Sequence, residues 1–205
     1  MRFAPAVVLV ALVLSGCTSS PAPVETSAAQ EPVAAPAVAT AIGISGTALQ
    51  ISYDDESTKN FAFTSEPTEV IEALTLALGG PPAVSTSEEL ACQPRFTNSS
   101  WPGLGIRSDY ASLPDGQRFA VTIDAATSGA IPLSTSEGVA VGGDGDDAFA
   151  ALDGAKRDRK SGQGANYDTI FFDRQADGAW GGYLFAANDA VVTIISPVDY
   201  ATRSC

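Results

Sequence analysis

The sequence predicts an α+β fold in which two helix-plus-antiparallel-strand repeats share one sheet. Short segments of alternating apolar and polar residues predict the strands, and two segments with apolar residues at helical spacing predict the helices. The same order of elements occurs twice along the chain, which predicts an internal duplication. A single domain is expected over residues 42–205, with repeats of about 42–115 and 116–205.

The first repeat is expected to open with strands at residues 42–45, 49–53 and 61–63. A helix follows, because Ser65-Glu66-Pro67 combines a cap candidate, an acidic first turn and a proline where its missing N–H costs nothing. The helix's apolar face is Val70, Ile71, Leu74 and Leu78, and a Gly-Gly-Pro-Pro sequence from Gly79 ends it. Residues 92–96 and 105–110 predict two strands joined by a turn at 98–100.

The second repeat is expected to follow the same plan. Strands are predicted at residues 119–123 and 139–141, followed by a short helix at 148–152. The acidic residues Asp144 to Asp147 are its cap candidates, with capping by Asp146 or Asp147 favoured. The last strands are predicted at 167–173, 182–185 and 191–195, with a turn at Asp177-Gly178 between the first two.

A short motif supports the duplication. At an offset of 79 residues, Arg95, Trp101 and Gly103 correspond to Arg174, Trp180 and Gly182, so the pattern R-x5-W-x-G occurs in both halves. The chain has 2 tryptophans, and both belong to this pattern. We therefore expect Trp101 and Trp180 to occupy equivalent points of the sheet.

The N-terminus has the features of an export signal. Arg2 precedes an apolar run over residues 6–14, and small residues follow it. A helix needs about 20 apolar residues to span a bilayer, so this run predicts a cleaved signal peptide, residues 1–16, and not a membrane anchor.

Leu14-Ser15-Gly16-Cys17 resembles the lipobox of bacterial lipoproteins. The resemblance implies a diacylglyceryl group on the Cys17 sulfur and cleavage after Gly16, which would anchor the chain at the extracytoplasmic face of the cell membrane. Residues 17–41 carry 4 prolines and no aromatic residue, which predicts a disordered tether after the lipidated cysteine. The alternative is an ordinary secretory signal with an unrelated cysteine.

Composition limits the chemistry of the mature chain. The chain has no histidine, which excludes Ser-His-Asp and Cys-His nucleophiles and imidazole metal ligands, so neither a cofactor nor a metal is expected. Cys92 and Cys205 are the remaining cysteines, and an oxidising compartment favours a disulfide between them over a free thiol. A net charge of −13 makes nucleic acid a poor partner.

Two exported, disulfide-linked helix-and-strand units resemble the β-lactamase-inhibitor-protein-like class of tandem repeats. The resemblance is one of plan, covers residues 42–205 and implies a shared sheet with helices on one face. Its inhibitory activity is not implied, since no residue here matches an inhibitory motif.

The sequence favours a non-catalytic binding or interaction module of the cell envelope over two alternatives, an envelope enzyme that uses carboxylates or Ser/Lys and a structural spacer. No residue is assigned a catalytic role. Trp101, Trp180 and Tyr183 are the candidates for binding an unknown protein or small ligand, and their alternative role is core packing. The positive run at residues 156–160 is a solvated loop or a docking point for an anionic partner.

Overall fold

The fold is mostly β, so the predicted α+β class is wrong. A computed structural model describes residues 36–88, 95–109, 113, 116–152, 158–161, 167–176 and 179–197. Strands account for 51% of the structure, and the two helices of the described chain have 11 and 7 residues. The strands form two sheets and not one shared sheet. The resemblance to the tandem-repeat class implied one shared sheet with helices on one face, and the described strands do not form that arrangement.

The five-stranded sheet has the order β3-β2-β1-β9-β8. Its strands are β1 (Ala39–Ile44), β2 (Ala48–Tyr53), β3 (Thr58–Ala62), β8 (Thr127–Ser128) and β9 (Ile131–Thr135). Strand β1 pairs antiparallel with β2 and parallel with β9, which joins the first part of the chain to its middle.

The eight-stranded sheet consists of two meanders that meet at an antiparallel pair. The first meander is β4 (Ala83–Ser87), β5 (Phe96–Trp101), β6 (Leu104–Ser108) and β7 (Phe119–Ile123). The second is β10 (Asp158–Ser161), β11 (Tyr167–Arg174), β12 (Trp180–Ala187) and β13 (Ala190–Ser196). Because β7 pairs with β13, β4 and β10 are the two edge strands.

The two helices pack against the large sheet. Helix α1 (Pro67–Ala77) precedes β4, contacts β6 and buries Val70, Ala73 and Leu74. Val70 and Leu74 belong to the predicted apolar face, whose other members, Ile71 and Leu78, are partly buried against the core. Helix α2 (Gly145–Ala151) contacts β13. Its cap is Asp144, not Asp146 or Asp147, since the Asp144 carboxylate accepts the backbone N–H of both residues, at 2.8 and 3.0 Å.

One hydrophobic core joins the two sheets and the helices. It includes Ile42 and Leu49 from the small sheet, Leu74 from α1, and Val121 and Ile194 from the large sheet, all fully buried. The helices therefore share the core with a second sheet, which is why the fold is not the expected two-layer arrangement of helices on one sheet.

Four strands form where the sequence predicts none, one of them the two-residue β8, which pairs with β9. Strands β4, β9 and β10 lack a strong apolar alternation, and pairing with β5, β1 and β11 respectively makes them strands. Two other predictions fail locally: the expected turn at 98–100 lies within β5, and the expected strand at 139–141 has no regular structure.

Strand β1 begins at Ala39, within the last residues of the predicted tether. The predicted signal peptide, Cys17, Cys92 and Cys205 lie outside the described residues. Within the described ranges, neither helix has the length and hydrophobicity needed to cross a bilayer.

The turn between β1 and β2 fastens the small sheet to the large one. The Gly46 N–H donates to Asp173 Oδ2 at 2.5 Å, and the fully buried Ser196 hydroxyl lies 2.7 Å from Ser45 O and 2.9 Å from Gly181 O. The backbones at Gly46 and Gly181 are so close that a Cβ built on Gly46 would lie 2.8 Å from Gly181 Cα. Two glycines are therefore required where the sheets meet.

We expect Gly46→Ala to destabilise the fold by about 1–3 kcal/mol, the usual cost of overpacking. The new Cβ would lie 2.4 Å from Asp173 Cβ, and the turn would have to move away from β11. Urea unfolding measures the loss. Gly43→Ala is the matched control, because its nearest neighbour would be Ser134 O at 3.9 Å; equal stability losses in the two variants would contradict the prediction.

Candidate functional site

The strand register divides the large sheet into a core face and an open face. Directly paired residues such as Ile106 and Val121, or Leu184 and Ile194, belong to the core. Residues between them along each strand point to the opposite side, which we call the open face. Its members include Phe96, Asn98, Ser100, Arg107, Thr122, Thr169, Phe171, Tyr183, Phe185, Thr193 and Ile195. Most of these side chains are partly exposed.

Three aromatic residues form a cluster at one end of the open face. The Phe171 ring lies 5.7 Å from the Trp180 ring and 6.2 Å from the Tyr183 ring, centroid to centroid. Phe171 and Tyr183 are direct cross-strand partners of β11 and β12, so the register fixes this contact. Phe171 is only 4% exposed, whereas Trp180 and Tyr183 are partly exposed around it. The cluster thus has a buried centre and an accessible periphery.

An arginine stacks on an aromatic ring at each side of the open face. The Arg174 guanidinium lies 5.6 Å from the Trp180 ring centroid, and the Arg107 guanidinium lies 5.1 Å from that of Phe96. Stacking orients a guanidinium while leaving its N–H donors available in its plane. Each pair therefore combines an apolar surface with positively charged hydrogen-bond donors.

The open face differs in charge from the rest of the chain. Edge strand β10 has one residue of each charge at open-face positions, Asp158 opposite Phe171 and Lys160 opposite Thr169. In strands β4–β7 and β11–β13, the open-face register positions hold no aspartate or glutamate apart from Asp173. Asp173, the carboxylate nearest to the cluster in sequence, has positive φ (53°) and is bonded to Gly46 on the core side. A chain with net charge −13 thus presents a sheet face whose formal charges, over these strands, are those of arginines.

The structure separates the three predicted binding residues. Tyr183 and Trp180 lie together in the open-face cluster, but Trp101 is in the core, 8% exposed, with its Nε1–H donating to Gly80 O at 2.8 Å. The expected equivalence of the tryptophans fails because Trp101 ends β5 opposite Leu104, whereas Trp180 begins β12 opposite Arg174. Trp101 is therefore a structural residue.

The sequence did not single out Phe171, Arg107 or Arg174 as binding residues. Phe171 and Phe172 are adjacent, and an aromatic pair does not reveal which member faces the core; the structure buries Phe172 at 1% exposure against Gly182. The signal that identifies Phe171 is the alternation of faces along β11. Ile170 is fully buried, so its neighbour Phe171 points to the opposite side of the sheet. Arg107 belongs to no motif, and the R-x5-W-x-G pattern that contains Arg174 does not indicate its stacking on Trp180, so strand positions identify both arginines.

A cleft of about 430 Å³ at the start of α1 is a weaker candidate. Two carboxylates line it, but Glu66 is paired with Arg118, and Asp109 accepts the Thr97 hydroxyl at 3.0 Å. The described residues contain no group of His, Cys, Asp or Glu arranged to hold a metal. The cleft therefore offers no pair of carboxylates free to act as general acid and base.

Comparisons of the chain with protein-family models, with curated proteins and with solved structures give no match.

The two indoles should differ in their access to solvent. In Trp101→Phe, which retains Trp180, acrylamide should quench the fluorescence several-fold more efficiently than in Trp180→Phe, which retains Trp101. The reason is that Trp101 is enclosed by the core and Trp180 lies at the edge of the open-face cluster. Equal Stern–Volmer constants in two folded variants would contradict the assignment of the two faces.

Proposed function

We propose that the chain is an exported, lipid-anchored envelope protein that binds an acidic protein surface through the open face of its large sheet. The observation that carries the proposal is the Phe171–Trp180–Tyr183 cluster together with Arg107 and Arg174, on a face where strands β4–β7, β12 and β13 hold no carboxylate. Aromatic and arginine side chains are the residue types most enriched among the energetically dominant positions of protein interfaces.

The size of the face favours a macromolecular partner over a small ligand. Strands β6 and β11 are four steps apart in the sheet order, which separates Arg107 from Arg174 by about 19 Å at the usual strand spacing. A small ligand in one pocket cannot reach both arginines. A protein that presents two carboxylates about that far apart could bind both, with apolar side chains against the aromatic cluster between them.

Charge complementarity favours acidic over basic partners. Each stacked guanidinium can donate two parallel hydrogen bonds to one carboxylate, and stacking reduces the rotamer entropy lost on binding. Electrostatic attraction of this kind mainly sets orientation and association rate, while burial of Trp180 and Tyr183 supplies apolar contact.

The proposed location is supported by the N-terminal sequence. The short apolar run and Leu14-Ser15-Gly16-Cys17 resemble a lipoprotein signal, and the two acyl chains that the resemblance implies would hold the chain stably at the membrane. The first described strand starts at Ala39, so about 20 residues between Cys17 and β1 are left to serve as a tether.

Cys17→Ala should move the chain from the detergent phase to the aqueous phase in Triton X-114 partitioning. The variant removes the only sulfur in the lipobox and therefore the thioether-linked diacylglyceryl group with both of its acyl chains. Cys92→Ala is the control and should leave partitioning unchanged. Retention of the Cys17→Ala variant in the detergent phase would contradict lipid anchoring through this residue.

A photo-reactive p-benzoylphenylalanine at Thr193, on the open face opposite Phe185, should give a discrete adduct when the full chain is irradiated in its native envelope. Arg174→Glu or Arg107→Glu should each lower the adduct yield about tenfold, the effect of roughly 1.4 kcal/mol, because the introduced carboxylate repels an acidic partner.

Lys59→Glu supplies the matched control. Lys59 also lies over an aromatic ring, 4.9 Å from the Phe61 centroid, but it belongs to β3 of the small sheet. Its reversal should leave the adduct unchanged. An adduct insensitive to both arginine reversals, or lost equally in Lys59→Glu, would overturn the open face as the binding surface.

A further inference from the structure

Among the described strands, three of the four sheet edges have features that disfavour pairing with another chain. Edge strand β10 has the sequence Asp-Arg-Lys-Ser, edge strand β3 contains Lys59, and edge strand β8 has only 2 residues. Charged side chains, lysine above all, and very short strands are the usual devices that prevent edge-to-edge association.

The fourth edge, β4, carries none of these devices. Its sequence is Ala-Val-Ser-Thr-Ser, without a charge, and it pairs with β5 over five residues with no bulge. Its residues are exposed except Ser87, which is partly buried, and Val84 is 65% exposed. Pro82 precedes the strand and removes no N–H from within it. A regular, neutral edge of this kind is a template for a further strand.

The edge is complementary to itself. In an antiparallel pair of two β4 strands related by a twofold axis at Ser85, Ala83 lies opposite Ser87 of the second copy, and Val84 lies opposite Thr86. The β-branched residues therefore face each other, small residues face small ones, and no like charges meet. This is notable in a chain of net charge −13, whose other surfaces would repel a second copy.

We propose that the chain forms a twofold dimer by antiparallel pairing of β4 with β4 of a second copy. The two eight-stranded sheets become one continuous sheet, and the open faces of the two copies lie side by side. This proposal is independent of the function of the open face, because it rests on the composition, exposure and regularity of one edge strand.

Each β4 strand has only 5 residues, so the dimer is weak and its population depends on the protein concentration. The dimer is to be measured by sedimentation equilibrium up to about 1 mM protein, the effective concentration that short tethers produce between molecules held together. The sample is the full chain with Cys17→Ala under reducing conditions, so that neither lipid nor intermolecular disulfides contribute. The expected result is a monomer–dimer equilibrium with no larger species, since a closed twofold pair consumes the edge.

Ser85→Lys places two introduced ammonium groups opposite each other at the axis and should raise the dimer Kd at least about tenfold. Thr58→Lys, the same kind of change on exposed edge β3, should not alter the Kd. The double variant Val84→Lys/Thr86→Glu should retain the dimer, because the antiparallel register sets each introduced lysine opposite an introduced glutamate.

The outcomes decide between pairing modes. A parallel pair would place like charges together in the double variant and lose the dimer, which would overturn the proposed register. A chain that stays monomeric at every concentration, or a dimer whose Kd is unaffected by Ser85→Lys in a variant with unchanged circular dichroism, would overturn the proposal itself.

Discussion

The contact of the β1–β2 turn with β11, β12 and β13 fixes how the two sheets enclose the core. Gly46 and Gly181 allow the two backbones to approach within a distance that a single Cβ would prevent, and Asp173 and Ser196 satisfy the polar groups of the turn there. Asp173 accomplishes this from a left-handed conformation (φ 53°), which turns its carboxylate to the core side. Arg174, the next residue of β11, stacks on Trp180. Two adjacent residues therefore belong one to the contact between the sheets and the other to the candidate binding site.

This arrangement leaves one face of the large sheet without a covering layer among the described elements. Antiparallel sheets commonly have one packed and one solvated face, and the solvated face is then polar. Here the side chains at one end of the solvated face are aromatic: Phe171, Trp180, Tyr183 and Phe185. Core packing does not explain them, because Ile170 and Leu184, which alternate with them along β11 and β12, fill the core side of the sheet. An aromatic surface next to oriented arginines is consistent with the proposed binding role. A structural spacer needs no exposed aromatic surface, so this feature is not expected of one.

Elements with their own signal could be predicted from the sequence, and those made by pairing could not. Helix α1 has periodic apolar residues and a proline at its start, and β7 and β13 have apolar runs, so their positions agree with expectation. Strand β4 is Ala-Val-Ser-Thr-Ser and β10 is Asp-Arg-Lys-Ser, which are strands because β5 and β11 supply hydrogen bonds. Likewise, Tyr183 and Trp180 could be chosen from the sequence as binding candidates because they are aromatic. The face of the sheet on which each tryptophan lies could not be predicted, because it depends on whether the tryptophan ends the first strand of its hairpin or begins the second. A repeated motif such as R-x5-W-x-G carries no information about that.

The charge distribution gives the proposed binding face a defined orientation. Glu69 and Glu72 on α1 and Asp146 and Asp147 on α2 are exposed, and both helices pack on the core face, so these carboxylates lie on the opposite side of the sheet from Arg107 and Arg174. An acidic partner is repelled by the helical side and attracted to the open face, which steers the encounter before contact. Such steering acts over about 8 Å at physiological ionic strength, so it selects the orientation only of a partner already close to the open face. Over that short range the two arginines set the orientation of the proposed partner, and the aromatic cluster supplies its apolar contact.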